Sequence, residues 1–506
     1  MIPAAAVLRN PQAVDEGDIP VLPPEEFRRD VISASESGAR LAALFGRVAE
    51  AGAVKIYALL ASDETGECAA LAMKVRERCA ALTPDCPQAH WFEREIAEQF
   101  AVRPEGHPWL KPLRFHRNYR GVPDVWAGGG APAPIPGPYP YFRVAGEEVH
   151  EVAVGPVHAG IIEPGHFRFQ CHGERVVHLE IQLGHQHRGM ERLLEGGPSS
   201  RSMVLAESIA GDTVVGHALA HCEALEALAG CQVSPRAQAL RGLALELERV
   251  ANHIGDLGAL GTDIAFQPAA AYFGRLRGEF LNSLMDLTGN RYGRSFLRPG
   301  GVLFDMDAAL AQRLRERLGR ARRDLQEIAR LFFENSSVLD RLEGTGAISR
   351  RASDDLGLVG PAARACGSPR DVRRDHPHGI FRFAHIPIVV AHSGDVHARA
   401  LVRWLEAERS LDFLEEQAGS LPEGELRVPC AAPAPGRCAV AMVEGWRGEI
   451  VHCIITDAGG RIARCKIVDP SFHNWMGLAM ALRDGAISDF PLCNKSFNLS
   501  YAGHDL

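Results

Sequence analysis

Three short stretches of this 506-residue chain concentrate side chains that move protons or hold charge. The first is Glu163-Pro-Gly-His166-Phe-Arg168, the second His187-Arg188-Gly-Met-Glu191-Arg192, and the third runs from Glu207 to His217 with Asp212 inside it. Histidine titrates near neutrality, at about 6.5 when unperturbed. A buried carboxyl group is pushed upward and then exchanges protons in the same range. A coupled run of Glu, His and Arg lets one proton change the affinity of its neighbours for the next. The same residue types also build ordinary structural ion pairs, so a salt-bridged hairpin Glu163 stands beside the proton-relay reading.

These residues need elements to position them. Gly211 interrupts the preceding run, Asp212 or Thr213 is available as a cap, and Val215, Leu219, Cys222 and Leu225 follow at helical spacing, so residues 207–217 form a turn entering a helix. Phe167, Phe169 and Cys171 alternate with polar residues, His172-Gly173 turns, and Val177, Leu179, Ile181 and Leu183 alternate on the way back: a β-hairpin. Apolar seams predict long helices through Leu240–Leu257, Phe273–Leu287 and Leu310–Phe332, which pack as a bundle. A further helix is expected over Asp395–Glu416, and a small β meander over Ala439–Val468 around Asp457-Ala-Gly-Gly.

The region before the hairpin has a different texture. Residues 20–118 form a first unit, with Ala42, Leu44, Val48 and Ala51 on one helical face, a strand from Val54 to Leu60, and an amphipathic surface helix bearing Trp91, Ile96 and Phe100 opposite Glu93, Arg94, Glu95 and Glu98. Residues 119–145 are too rich in Gly and Pro for a helix or central strand and form a linker, expected to be extended across a neighbour's surface. Residues 146–506 form the second unit.

An apolar fraction of 46% with 23% charged residues is that of a globular protein, and the net charge of −8 is spread over both signs. No basic block argues for nucleic acid. The N-terminus lacks a secretory signal pattern, and no apolar run approaches the roughly 20 residues that span a bilayer. The 12 cysteines are scattered without a C-x-x-C pair, which predicts free buried thiols and no cluster held by this chain alone. No G-x-G-x-x-G and no Walker loop argues for a nucleotide.

Eight motifs, in order, resemble one family. They are Gly155-Pro-Val-His158, Glu163-Pro-Gly-His-Phe-Arg-Phe, His187-Arg-Gly-Met-Glu-Arg-Leu, Leu247-Glu-Arg-Val-Ala-Asn-His-Ile-Gly-Asp-Leu, Arg298-Pro-Gly-Gly-Val, Gly357-Leu-Val-Gly-Pro, Gly394-Asp-Val-His-Ala-Arg, and Arg447-Gly-Glu with Asp469-Pro-Ser-Phe-His-Asn-Trp. The family is the large subunit of group 4, energy-converting, membrane-bound [NiFe] hydrogenases and the homologous D-type subunit of NADH:quinone oxidoreductase. The run Ala89–Pro108 with Trp109-Leu-Lys-Pro resembles the C-type subunit of the same complexes, fused ahead as in formate-hydrogenlyase-type proteins.

The resemblance implies an α+β architecture: a small N-terminal α/β domain, then a mainly helical bundle with peripheral β-hairpins. It implies an iron–sulfur small subunit as partner, carrying [4Fe–4S] clusters, membrane subunits of the ion-transporter type, and a cytoplasmic position attached peripherally to the inner membrane. It also implies where a nickel–iron centre would sit. The family's first C-x-x-C pair falls on Ala210 and Thr213, and the second on Ser500 and Gly503. Alanine and glycine offer no donor atom, and hydroxyls do not form bridging thiolates. Cys493 is seven residues from Ser500 and replaces neither pair. The chain ends at Leu506, with no tail for a maturation protease.

A metal-free, hydrogenase-related paralogue that binds no cofactor itself is therefore the expectation, and hydrogenase activity is not expected. Glu163 takes the place of a family proton-relay carboxylate; His166 is a candidate donor near the place of the family's quinone histidine; Arg168, His187, Arg188, Glu191, Asp212 and His217 are further cavity candidates. Quinone or another small acceptor reduced in the cavity, and a pure scaffold for the small subunit, remain the alternatives.

Overall fold

A computed structural model describes residues 5–126, 139–158 and 162–506. Most of the linker's Gly/Pro run, residues 127–138, lies outside the described residues, and so does the interior of the Gly155–Gly165 segment at 159–161.

The N-terminal residues make three short strands, β1 (Ala6–Arg9), β2 (Gln12–Asp15) and β3 (Val21–Leu22), then helix α1 (Pro24–Glu36). Three long antiparallel strands follow, β4 (Arg40–Val48), β5 (Val54–Ser62) and β6 (Glu67–Val75), in the sheet order β1-β6-β5-β4 with β3 beside β6. The helical face expected through Ala42, Leu44 and Val48 is instead strand β4, which pairs Leu44 with Ala58 and Val48 with Val54, while Ala51 sits in a tight turn. A strand covered on both faces reads as a continuous apolar run, and its period does not distinguish it from a buried helix.

After β7 (Arg78–Ala80) comes α2 (His90–Phe100), flanked by β8 (Arg103–Glu105). The surface position expected for α2 is wrong, because every residue of it is buried. Its charged side chains are satisfied internally. Glu93 accepts the amides of Leu82 and Thr83 (2.6 and 3.0 Å), and Glu98 accepts those of Arg114 and Phe115 (2.8 and 2.7 Å). Arg94 donates to the carbonyls of Lys111 and Pro112 (2.9 and 2.7 Å). Buried charges are tolerated when paired in this way.

The hairpin appears as β10 (His166–His172) and β11 (Arg175–Gln182), with Phe167 opposite Ile181 and Phe169 opposite Leu179; β9 (Val149–Val154) adds a third strand on the far side of β10. Short helices α3 (Met190–Leu194) and α4 (Ser202–Ala206) lead to α5 (Val214–Ala229), α6 (Pro235–Asp263) and α7 (Gln267–Thr288). A two-residue-per-strand ribbon, β12 (Leu297–Arg298) and β13 (Gly301–Val302), precedes α8 (Ala308–Phe333). Short helices α9 (Ser336–Leu342), α10 (Arg350–Leu356), α11 (Gly360–Ala365) and α12 (Val372–Asp375) lead to α13 (Val396–Gly419). The leucine seams of α6, α7 and α8 are buried as expected, and Ser234, Asp307 and Asp395 cap α6, α8 and α13.

The meander is β14 (Arg437–Gly445), β15 (Gly448–Thr456) and β16 (Ile462–Val468); β2 from the N-terminus pairs with β14, so the chain's start is built into this sheet. Helices α14 (Pro470–Ala481), α15 (Phe490–Phe497) and α16 (Tyr501–Asp505) close the fold. Among the described residues no helix is long and apolar enough to cross a membrane.

Candidate functional site

The start of α5, the β14–β15 turn and the α14 and α16 N-termini converge. Neither Asp212 nor Thr213 caps α5 as expected. The cap comes from the next helix: Glu248 accepts the amides of Val215 (2.7 Å) and Gly216 (3.1 Å). Asp212 is thereby left to Arg447, whose guanidinium donates to both carboxylate oxygens at 2.7 Å and to the Thr213 hydroxyl at 3.2 Å. Arg447 also stacks over Trp446, 3.9 Å from the ring centre, and Trp446 donates its indole N–H to the Asp212 carbonyl (2.9 Å). Burial would raise the Asp212 carboxyl, but the charge and hydrogen bonds of Arg447 hold it below its usual value.

Asp469 caps α14 through the Ser471 amide (2.8 Å) and turns its other oxygen to His217 Nε2 (2.9 Å). His217 Nδ1 faces His452 Nε2 at 3.2 Å. The Ser471 hydroxyl accepts the Ser500 amide (2.8 Å), and the Ser500 hydroxyl in turn caps α16 at Gly503 (2.9 Å). Arg188 ties the two strips together by donating to the carbonyls of Ile209 (2.7 Å) and Ala502 (2.9 Å).

Beside this network lies a cavity of about 810 Å³, lined by Glu163, Phe167, Phe169, Asp212, Arg447 and Tyr501 among others. Glu163 accepts the Tyr501 and Ala502 amides at the N-terminus of α16 (3.1 and 3.2 Å). Burial nevertheless raises its pKa, with Arg447 pulling the other way. The carboxyl is thus poised to hold or release a proton at the cavity wall.

Residues 263–435 and 429–505 match the family of the 49 Kd subunit of respiratory-chain NADH dehydrogenase, and residues 39–124 match its 30 Kd subunit. The carbon monoxide-induced hydrogenase of Rhodospirillum rubrum is 32% identical over 350 residues, which is 69% of this chain and 97% of that protein. The chain belongs to this hydrogenase and NADH-quinone oxidoreductase large-subunit family, as a fusion of its two domains. Formate hydrogenlyase subunit 5 of Escherichia coli (strain K12) is 29% identical over 84% of this chain and 76% of its own length. The solved structure of the membrane-bound sulfane sulfur reductase, an archaeal respiratory membrane complex, superposes with a TM-score of 0.67 at 27% identity, covering 71% of this chain and 99% of that one.

A nickel–iron centre of the kind this family's hydrogenases carry does not fit the residues present. Ala210 and Gly503 have no donor, and the Thr213 hydroxyl is engaged by Arg447. A Cβ atom at Gly503 would lie 2.5 Å from Cγ of Asp469, so a side chain there collides with the carboxylate that binds His217. Among the described residues, no three His, Cys, Asp or Glu side chains are arranged to hold a metal ion. The 12 cysteines are free, and Cys493 is buried as expected.

Of the residues singled out in the sequence of this family member, Glu163 and Asp212 line the cavity, His217 is bonded to Asp469, and Arg188 binds the carbonyls of Ile209 and Ala502. His166 and Arg168 are not among the cavity's lining residues. Strand alternation sends Phe167 and Phe169 to the cavity, while His166 bonds the Gly155 carbonyl (3.1 Å) and Arg168 pairs with Glu151 (3.1 Å) over the Tyr141 ring. His187 donates to the Asp505 carbonyl (2.7 Å) and stacks on His116; burial pushes its pKa down to about 4.

Glu191 belongs to a separate cluster between the two units. It binds Lys466 (3.1 Å), Arg464 (2.9 Å) and the Ile467 amide (3.0 Å), and Lys466 also reaches both oxygens of Glu95 on α2 (2.7 and 2.6 Å). Sequence reasoning missed Glu248, His452 and Lys466 as members of these networks. Arg447 and Asp469 stood inside recognised motifs, which was the available signal; His452 sits between Val451 and Cys453 in a mostly apolar strand and gave none.

Proposed function

We propose that this chain is a metal-free, large-subunit-like component of a membrane-associated oxidoreductase complex, in which it couples a partner's electron transfer to protonation changes and ion movement. The observation that supports this reading is the network Asp212–Arg447–Thr213 and His217–Asp469, in which Thr213, one of the four positions where the resemblance puts a thiolate, is bonded by Arg447. Its partners on this reading are an iron–sulfur small subunit with [4Fe–4S] clusters and membrane subunits of the ion-transporter type, with the chain attached peripherally on the cytoplasmic side of the inner membrane. Support comes from relatives that are a formate hydrogenlyase subunit and a subunit of a respiratory membrane complex.

The test is elemental analysis and ion transport on the purified, reconstituted complex. The expected result is no nickel, and substrate-driven ion movement that Glu163→Gln lowers while all subunits remain assembled. Stoichiometric nickel would overturn the metal-free reading. Unchanged transport in Glu163→Gln and in Asp212→Asn would leave the chain a scaffold for its small subunit.

The size and lining of the cavity favour one second reading, reduction of quinone or another small acceptor within it. About 810 Å³ with Phe167, Phe169 and Phe490 as well as Glu163 in its lining suits a flat apolar ring that takes up a proton. On this reading the intact complex reduces a quinone analogue and Glu163→Gln slows it; a complex that reduces no such analogue excludes it.

A further inference from the structure

Resting on the metal-free reading, we propose that Asp469, His217 and His452 form a buried proton-carrying array that stands in the space a ligand at position 503 would need, and that it takes up and returns one proton. The geometry assigns the protons. Asp469 Oδ2 lies 2.9 Å from His217 Nε2, and a carboxylate only accepts, so Nε2 carries a proton whatever the charge of the ring. His217 Nδ1 lies 3.2 Å from His452 Nε2, and a single proton is shared between them.

Two states satisfy that pair. With His217 neutral, its Nδ1 accepts from His452 Nε2–H. With His217 cationic, its Nδ1–H donates to His452 Nε2, and His452 must then carry its own proton on Nδ1. Passage from the first state to the second forms an N–H bond at His452 Nδ1, breaks the one at His452 Nε2 and forms one at His217 Nδ1. One proton is gained, no electron moves, and the resulting imidazolium faces a carboxylate.

The entry point is identifiable. His452 Nδ1 is buried without a hydrogen-bond partner among the described residues, and so are both ring nitrogens of His221, which sits edge-on to His452 at 5.8 Å. His217 and His221 are four residues apart on α5 and share its face. All three rings are fully buried.

The charged groups around the array set where its charge rests. Glu191 from α3 acts on His452; Arg447 from the β14–β15 turn and Asp212 from the α5 entrance act on Asp469. Burial holds His452 low, aided by its two histidine neighbours, and pushes His221 down to about 4. Burial would raise Asp469, but His217 and Arg447 keep it below its usual value. Of the three imidazoles, His217 alone is hydrogen-bonded to a carboxylate, which is the contact that favours a charge on its ring. Position 503 is linked to this directly, because a Cβ there would meet the Asp469 carboxylate at 2.5 Å.

The experiment is a pH titration of the ring nitrogens in the full-length chain labelled with 15N-histidine, with assignments from His217→Gln and His452→Gln. In the wild-type chain the His217 and His452 signals should change together, His452 exchanging one tautomer for the other as His217 gains charge. Asp469→Asn keeps a cap for α14 but removes the carboxylate that faces His217 Nε2, and should abolish the coupled change of the two signals. His452→Gln should uncouple the pair while leaving the Asp469–His217 contact. A His452 tautomer that stays fixed across the pH range overturns the array, as does a coupled change of the two signals that survives in Asp469→Asn. Nickel content is measured on the same preparation and bears on the metal-free reading alone.

Discussion

Arg447 grips Asp212 through two parallel contacts of 2.7 Å, joining the β14–β15 turn to the entrance of α5. The Arg447 side chain is 3% exposed, whereas the Asp212 carboxylate reaches the cavity at 36%. Arg447→Met removes this pair and the bonds to Thr213 and Asn498, and leaves a carboxylate whose charge nothing offsets. Full burial of such an orphan costs about 3–5 kcal/mol; exposure to the cavity lowers the expected loss to about 2–3 kcal/mol. Arg447 holds the Asp212 pKa down, so the stability it confers is present above the unfolded carboxyl value and is lost as pH falls through the folded one. Urea unfolding of both proteins should show the gap closing on acidification; a gap of constant size from neutral to acid pH would contradict the assignment.

Glu248 shows the opposite sign. Its burial on α6 raises the carboxyl to about 8, against the two amide hydrogen bonds from Val215 and Gly216. Arg249 pulls it down and Asp212 pushes it up. The folded state therefore prefers the protonated acid, and wild-type stability falls as pH rises from the unfolded carboxyl value of about 4.3 toward the folded one. Glu248→Gln keeps an acceptor for the α5 amides and cannot ionise. Its melting temperature relative to wild type should rise between pH 5 and 8.5, and a difference that does not change with pH would show that Glu248 is already ionised throughout.

The bundle was legible because leucine seams repeat at helical spacing over many turns: α6, α7 and α8 lie where Leu240–Leu257, Phe273–Leu287 and Leu310–Phe332 placed them. The hairpin was legible for the same reason at period two. Strand β4 and helix α2 were misread because burial on all sides erases the contrast that periodicity depends on. Glu93, Glu95 and Glu98 look like a solvated face until their partners are known, the loop amides on either side of the helix for Glu93 and Glu98 and the distant Lys466 for Glu95. The candidate site was marked by motifs at Glu163, Asp212 and His217, of which the first two line the cavity. It was illegible where one residue completes it from afar: His452 is 235 positions from His217, and Lys466 is 371 from Glu95.

Lys466 is the pivot of the contact between the two units. Its ammonium is fully buried and shared by Glu95 of α2 and Glu191 of α3. Lys466→Met leaves two carboxylates facing each other, with Arg464 and Arg114 still beside them. The expected loss is about 3–5 kcal/mol, as for breaking a buried pair from one side. Adding Glu95→Gln to Lys466→Met should recover part of that loss, because the uncompensated charge goes with it. A double-mutant cycle by chemical denaturation measures this, and strict additivity would mean that Lys466 and Glu95 do not act on one another.

Gly503 tests the packing against Asp469 without reference to any metal. A methyl group at 503 would come within 2.5–2.9 Å of the Asp469 carboxylate atoms, far inside ordinary contact. Gly503 is not in the left-handed region, so the backbone itself accepts alanine. Gly503→Ala is therefore expected to destabilise by about 1–3 kcal/mol through overpacking. Asp469→Ala alone costs stability for another reason, since it removes the α14 cap and leaves His217 Nε2 without its acceptor. In the double variant the collision is gone, so Gly503→Ala should cost far less in the Asp469→Ala background than in the wild type. An unchanged cost in that background would place the 503 side chain somewhere other than against Asp469, and would detach position 503 from the His217 network.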